Sequence, residues 1–285
     1  MGDRAQAGVS GPCIVVLAHN EERRIARCLA SLPVGAAVHV VVNGSSDRTA
    51  EIACTFPVTV HDWPEGGKAR SWNRIMLDTP GIAGDCFVFV DGDAEVLPGS
   101  VAALAAALAA NPGVNAAAGL PANGRRAAAY RGEAIAGHGM FGDLYALSGD
   151  FVARLRVSGI RLPEDLVGDD SLIGALAKTG LANEDDWRDA RIAPCPAAGF
   201  LCEPTTLSPA GLAGQYRRMV SYAVRHFQNR IVSQIMRGPG PAGLPRRMAE
   251  LYGEWLPRFA PRRDVLWWWF DRRALAKMRA ASLAA

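Results

Sequence analysis

The sequence predicts an α/β protein with a mostly parallel central sheet, helices on both faces, and a helical C-terminal extension. Three observations carry this expectation. Short unbroken apolar runs alternate with segments of helical spacing through the first half of the chain, the pattern of strands buried on both faces. Polar residues cluster directly after those runs, where open parallel sheets hold their ligands. A chain of 285 residues, 49% hydrophobic and 21% charged, is also long and apolar enough to bury a substantial core.

Residues 13–18 (CIVVLA) form the first expected strand, and residues 20–32 follow with helical spacing through Ile25, Cys28, Leu29 and Leu32. Residues 38–42 (VHVVV) are a second strand. Ser45, Ser46 and Asp47 then offer N-cap chemistry for a helix through Cys54. Residues 58–61 are a third strand and 67–77 (GKARSWNRIML) a third helix. Residues 86–90 (CFVFV) are a fourth strand, stopping at Asp91-Gly92-Asp93. An Ala-rich helix is expected over 98–110 and a strand over 114–120, while the Gly- and Arg-rich stretch 121–139 reads as irregular. Residues 145–148 lead into a short helix from Asp150. A helix over 169–178 is closed by Gly180. A long arginine-bearing helix covers 215–236, residues 238–245 (GPGPAGLP) read as a linker, and helices on either side of Pro261 finish the chain.

Residues 1–12 are polar and Gly-rich without the apolar core of a secretory signal. No apolar run approaches the roughly 20 residues that span a bilayer. The six cysteines (13, 28, 54, 86, 195 and 202) show no C-x-x-C spacing, which points to reduced packing thiols in a cytosolic protein. The net charge of +3 hides an asymmetry: from Gln215 onward there are 14 Lys/Arg against 4 Asp/Glu, and before it 17 against 24. The acidic part suits a carboxylate site, and the basic part suits an anionic surface or ligand without demanding nucleic acid.

Asp91-Gly92-Asp93 places two carboxylates one residue apart at a strand end, with a glycine that permits the turn. Hard oxygen ligands of this kind suit Mg²⁺ or Mn²⁺ held together with substrate phosphates. Asp93 is the expected metal ligand, and Asp91 serves a ribose or the outer shell of the metal. A solvated acidic loop is the plain alternative. Gly168-Asp169-Asp170 opens a helix, where one acid satisfies capping and two exceed its needs.

The segments VVLAHNEERRIARCLASL, VHVVVNGSSDRTAEIA, GGKARSWNRIM and VFVDGDAEVLPGSV, in this order, resemble the nucleotide-binding half of glycosyltransferase family 2, with its GT-A fold. LPEDLVGDDSLIGALAKTG and CEPTTLSPAGLAGQYRRM resemble that family's acidic catalytic motif and its Q-x-x-R-W region. The resemblance runs from about Cys13 to Arg225 and rests on six loose motifs in one order.

It implies an enzyme that moves a sugar from a nucleoside-diphosphate sugar to a hydroxyl acceptor (glycan, lipid or small molecule), inverting the anomeric centre with Mg²⁺ or Mn²⁺. It also implies a catalytic domain over 1–237, with a nucleotide-binding half at 13–120 and an acceptor half at 121–237, and then an extension over 238–285. Leu17, Ala18 and Glu21 match the end of the first strand, where the family holds the donor's base and ribose. Asn43 and Asp47 match the turn after the second strand; Asn43 replaces the usual acid, and Asp47 also suits a helix cap. Lys68 matches the basic residue of the third motif, for base or phosphate, although cations are not favoured at a helix start.

Asp170 matches the second acid of the family's E-D pair and is the expected base, with Asp169 beside it for sugar or acceptor; Glu164 and Asp165 are the rival pair. Gln215 and Arg218 fit the Q-x-x-R-W region, where Arg218 would stabilise the leaving diphosphate. Met219 stands where Trp is usual, which weakens any claim of processive synthesis.

Two other classes compete. A nucleotidyltransferase wants a Gly-rich phosphate loop after the first strand, where His19-Asn20-Glu21-Glu22 stands instead. A binding or membrane-docking module with a dead site would lack the metal acid or the base. Residues 265–270 (VLWWWF), flanked by Arg262, Arg263, Arg272 and Arg273, have the chemistry of a membrane interface or of an aromatic platform for a sugar acceptor. A packed terminal helix is the plain alternative, except that three consecutive Trp cannot all face one core.

Overall fold

A computed structural model describes residues 11–203 and 208–284; residues 1–10 and the 204–207 part of the CEPTTLSP segment lie outside them. The apolar runs become strands of one eight-stranded sheet: β1 (Pro12–Ala18), β2 (Ala37–Asn43), β3 (Thr59–Trp63), β4 (Cys86–Asp91), β5 (Ala94–Val96), β6 (Ala116–Pro121), β7 (Leu144–Ser148) and β8 (Ile192–Cys202). Their order is β3-β2-β1-β4-β7-β6-β8-β5. Strands β3, β2, β1 and β4 are mutually parallel, as are β6 and β8. Strand β7 is antiparallel to both its neighbours, and β5 to β8.

The continuous apolar runs serve two layers at once because strand side chains alternate between faces. Along β1, Val15 and Leu17 enter one core cluster, while Ile14, Val16 and Ala18 enter the other. The first cluster lies against α3 (Lys68–Asn73), α6 (Gly149–Ser158), α7 (Asp169–Thr179) and α8 (Pro209–Arg237). The second lies against α1 (Ile25–Ala30), α2 (Thr49–Ala53) and α4 (Ser100–Ala109).

Several elements differ from the sequence expectation. The stretch 121–139 contains α5 (Ala127–Ala136); AAAYRGEAIA is rich in the best helix formers, and this outweighs the flanking glycines and arginines. The first helix begins only at Ile25, since residues 20–24 form a turn at the end of β1. The third helix passes into a π-turn over Arg74–Asp78. Helix α8 starts earlier than its arginines suggest, with Ser208 accepting a hydrogen bond from the Gly211 N–H and Pro209 opening the first turn.

The segment 238–245 is not extended, as Gly240–Gly243 forms a 3₁₀ turn. Beyond it, α10 (Val265–Leu283) packs against both α8 and α9 (Ala249–Trp255), and Tyr252 of α9 is hydrogen-bonded to Gln228 of α8. Met248, Tyr252, Phe259, Phe270, Leu275 and Met278 join the same core cluster as Trp72 and Phe89 under the sheet. No helix among the described residues is long and apolar enough to cross a membrane.

Candidate active site

The sheet assembles the site by its register. Leu17 of β1 lies beside Asp91 of β4, so the carboxyl ends of both strands open at one level. Gly92 turns back against β1, its N–H donating to the Leu17 carbonyl at 2.8 Å. A Cβ on Gly92 would come within 2.8 Å of the Ala18 Cβ, so the close approach requires glycine. Because β7 runs antiparallel to β4, it begins where β4 ends: Val90 pairs with Leu144, and the Asp91 N–H donates to the Asp143 carbonyl at 3.2 Å.

Asp91, Asp93 and Asp143 each offer a ligand oxygen, all within 4.8 Å of one another. This all-oxygen donor set could hold Mg²⁺ or Mn²⁺. Burial, reinforced by the Asp143 and Asp93 charges, pushes the Asp91 carboxyl well above the ordinary range against the pull of Lys68. Burial and then the Asp93 charge raise Asp143, opposed by the Cys202 thiol, which donates to its Oδ1 at 3.1 Å. Gathered carboxylates that resist ionising together are what a bound divalent cation would stabilise. A cleft of about 260 Å³ opens beside Asp93, lined by Arg24, Asn123 and Cys202 among others. A larger cavity, about 950 Å³, is lined by Asn73, Arg161 and Arg246 and includes none of the three aspartates.

Glu21 and Arg24 come from the turn that replaces the first part of the expected helix. Arg24 lies 2.6 Å from Glu21 Oε2 and 3.6 Å from Asp93 Oδ2. Burial, followed by the Asp93 charge, pushes the Glu21 carboxyl up to about 7.

Lys68, at the first position of α3, joins this cluster to the next one. Its Nζ lies 2.6 Å from Asp91 Oδ1 and 3.9 Å from Asp169 Oδ1. Burial alone would lower the ammonium, but Asp169, Asp91 and Asp170 outweigh it and hold it above its ordinary value. Those carboxylates also overcome the unfavourable placement of a cation at a helix start. Beneath Lys68, Trp72 stacks on Phe89 and Phe89 on Tyr145, and Trp72 Nε1–H donates to the Tyr145 hydroxyl at 3.0 Å.

Asp169 and Asp170 occupy the first turn of α7. Asp169 is buried, and its Oδ2 has no hydrogen-bond partner among the described residues. Burial raises its carboxyl, with Lys68 opposing. Asp170 Oδ2 accepts from Arg225 Nη2 at 3.1 Å, and Arg225 also reaches the Ser171 hydroxyl. Gly168, at φ +84°, sits directly under this guanidinium, which a Cβ there would overlap. A Cβ on Gly142 would lie 3.1 Å from Lys68 Nζ and 3.5 Å from the Asp170 Cβ. The metal-type carboxylates and the helix-start carboxylates therefore flank a single turn, Gly142-Asp143.

Other expected residues are engaged differently. Asn43 is buried, donating from Nδ2 to the Ala18 carbonyl at 3.0 Å and accepting from the Gly67 N–H at 3.4 Å; it ties β1, β2 and α3 together. Asp47 accepts from the Glu22 and Thr49 N–H groups and from the Thr49 hydroxyl. Those hydrogen bonds overcome desolvation and hold its carboxyl below the usual range. It caps the turn into α2 and is not among the gathered acids.

Glu164 spans Arg70 and Arg246, and Asp165 accepts from the Met248 and Ala249 N–H groups at the start of α9. Both members of the rival pair thus hold structure. Gln215 and Arg218 make no polar contact with the acidic cluster among the described residues, and Arg218 is exposed. The cation that α8 delivers is Arg225, two turns further along the face that carries Arg218.

Asp143, Arg225 and the buried Gln228 escaped sequence reasoning. Gln228 accepts from the Val167 N–H at 2.8 Å and donates to the Asp165 carbonyl and the Tyr252 hydroxyl, fixing the segment that leads into Gly168. The available signals were the acid just before the apolar run LYAL and an arginine one heptad beyond Arg218.

Comparisons with known proteins bear on the fold and on the first half of the chain. The curated protein RfbJ of Shigella flexneri is 31% identical over 84 residues, a stretch covering 28% of this chain and 62% of RfbJ. The match therefore spans less than two thirds of that relative's length. The structure of glucosyl-3-phosphoglycerate synthase from Mycobacterium tuberculosis with Mn²⁺, uridine diphosphate and glucosyl-3-phosphoglycerate is similar at a TM-score of 0.54 and 19% identity, over 82% of this chain and 81% of that one. The same synthase with Mg²⁺ and uridine diphosphate gives 0.54 and 20%, over 82% and 80%. These likenesses establish the fold as GT-A, a Rossmann-like sheet with C-terminal helices. The family model for glycosyl transferase family 2 matches residues 13–150, the span that supplies Glu21, Lys68 and the Asp91, Asp93 and Asp143 carboxylates. Over that span, just under half of the chain, the sequence is similar to glycosyl transferase family 2.

Proposed function

We propose that the chain is a glycosyltransferase that moves one sugar from a nucleoside-diphosphate sugar to a hydroxyl acceptor and inverts the anomeric centre. The observation that carries this reading is the pairing of two carboxylate sets around the Gly142-Asp143 turn, with Lys68 between them. Asp93, Asp143 and Asp91 would hold Mg²⁺ or Mn²⁺, which when bound neutralises a diphosphate. The Mn²⁺ and uridine diphosphate in the synthase structures make a UDP-sugar the first donor to try.

Lys68 brings a permanent positive charge to the same place, where it can offset charge developing on the leaving phosphate oxygen. Asp170 takes the proton of the acceptor hydroxyl as that oxygen forms its bond to the anomeric carbon. The bond from that carbon to the diphosphate breaks on the opposite side, which inverts the centre. Arg225 holds one oxygen of Asp170 and so aims the other at the incoming hydroxyl. Asp169, with an unpartnered buried oxygen, is suited to accept a hydrogen bond from a sugar hydroxyl. Leu17 and Ala18 would line the base and ribose at the end of β1. We place the reaction in the cytoplasm, where six free thiols stay reduced, with peripheral contact at the inner face of the membrane.

The test is transfer from UDP-, GDP- and dTDP-sugars with Mn²⁺. Asp170→Asn is expected to lose about 10²–10⁴-fold in turnover while donor binding, read by thermal shift, is kept. Glu164→Gln should retain turnover. Full transfer by Asp170→Asn would remove the base from this position.

A further inference from the structure

Helix α10 begins with an apolar run that its packing does not use up. At roughly 100° per residue, Phe270, Ala274, Leu275 and Met278 fall on the side turned to the core, where they are buried. Val265, Leu266 and Trp269 fall on the other side, with Trp268 at its edge beside Leu275, and all four are exposed, Val265 at 86%, Trp268 at 42% and Trp269 at 47%. A helix on the surface of a water-soluble protein normally places charge there. The first two turns of α10 are instead apolar on both sides, with Val265 and Leu266 exposed on the outer side. Exposed Tyr216 of α8 lies at the seam between α8 and α10, its ring 5.8 Å from that of Phe270.

The rim of this patch is cationic and unpaired. Arg272 lies over the Trp268 ring and Arg273 over the Trp269 ring, each at 4.7 Å. Arg262 is committed to the buried carboxylate of Asp271, while Asp264 caps the helix by accepting from the Trp267 N–H. Arg263, Arg272 and Arg273, with Arg217 and Arg218 on α8, have no acidic partner among the described residues. Tryptophan set among arginines matches the boundary of an anionic bilayer, where indoles lie at headgroup depth and guanidinium groups meet phosphates. A symmetric second copy would bring the same unpaired arginines face to face, which like-charge repulsion disfavours. With no membrane-crossing helix described, such docking is peripheral.

We propose that the exposed face of α10 docks on an anionic phospholipid surface through Val265, Leu266, Trp268 and Trp269, with Arg272 and Arg273 on the headgroups. The proposal goes beyond the transfer reaction and does not depend on it.

The test is co-sedimentation of the full chain, without any donor, with vesicles of equal parts phosphatidylglycerol and phosphatidylcholine, and with vesicles of phosphatidylcholine alone. The expected result is binding to the anionic vesicles with a blue shift of tryptophan emission, and about tenfold or greater weakening on pure phosphatidylcholine or in about 0.5 M salt. Trp268→Ser with Trp269→Ser, and separately Arg272→Gln with Arg273→Gln, should each weaken binding about tenfold or more. The melting temperature should be retained, because these side chains lie outside the core. Three results would overturn the proposal: no binding by the native chain, equal binding to both vesicle types, or native-like binding by both variants. A dimer in solution that the tryptophan variant dissociates would also overturn it, assigning the face to a second copy.

Discussion

Glu21 places a titratable group at the edge of the metal-type cluster with a sharp expectation for pH. Its carboxyl is pushed from an ordinary 4.5 up to about 7, by burial first and the Asp93 charge second. Between those two values the folded protein holds a proton that the unfolded chain has released. Native stability attributable to Glu21 therefore falls as pH rises through that window and levels off above it. Glu21→Gln keeps the side chain neutral at every pH. In metal-free protein, the melting temperature of the variant relative to the native chain should rise between pH 4.5 and about 7 and then flatten; a flat difference across the range would contradict the burial argument.

Legibility in the sequence divides at the same scale. Asp91, Asp93, Asp169 and Asp170 could be found because each adjoins a local signal, a strand end or a helix start. Asp143 stands before its apolar run, not after it, so the strand-end rule passes it by. It matters because β7 runs antiparallel to β4, and strand direction is not written in an apolar run. Asn43 and Asp47 were legible as polar residues at a strand end, but the backbone groups that engage them were not.

At the scale of elements, the short segment 164–170 is held from three sides. Asp165 accepts from the first N–H groups of α9 at 2.6 and 3.1 Å, Gln228 grips Val167 and Asp165 from α8, and Asn73 of α3 exchanges hydrogen bonds with Leu162 just before it. Asp165→Ala removes a helix cap and leaves buried donors unpaired, at a cost of about 1–3 kcal/mol. Chemical denaturation should show a lower midpoint with unchanged slope, and an unchanged midpoint would show that α9 does not rely on this cap. The sequence offered the helix over 169–178 and the long basic helix after it, because both have clear apolar periodicity. It hid which turn of the long helix meets Asp170, since Arg218 and Arg225 share a face and only packing against Gly168 selects between them. The helix α5 was obscured for a compositional reason, its Ala-rich interior being bracketed by arginines and glycines.

Over the whole molecule, the sheet, the β7 reversal and the α8–α10 layer act together to bring distant carboxylates to one turn. Asp91 and Asp93 come from the parallel half, Asp143 from the antiparallel strand, and Asp169 and Asp170 from a helix start braced by the C-terminal layer. The alternation of strands and helices makes the parallel half readable from the sequence alone. The contribution of residues beyond 237 was not readable, because a Pro/Gly-rich stretch looks like a linker whether or not the chain after it returns to the core.

The measurement that bears most directly on this convergence is calorimetric titration of Mn²⁺ into the native chain and into Asp143→Asn, each with uridine diphosphate present. If Asp143 completes the site begun by Asp91 and Asp93, the native chain binds the cation and the variant binds it at least about tenfold more weakly. Equal affinity in the two proteins would contradict a metal site built across β4 and β7.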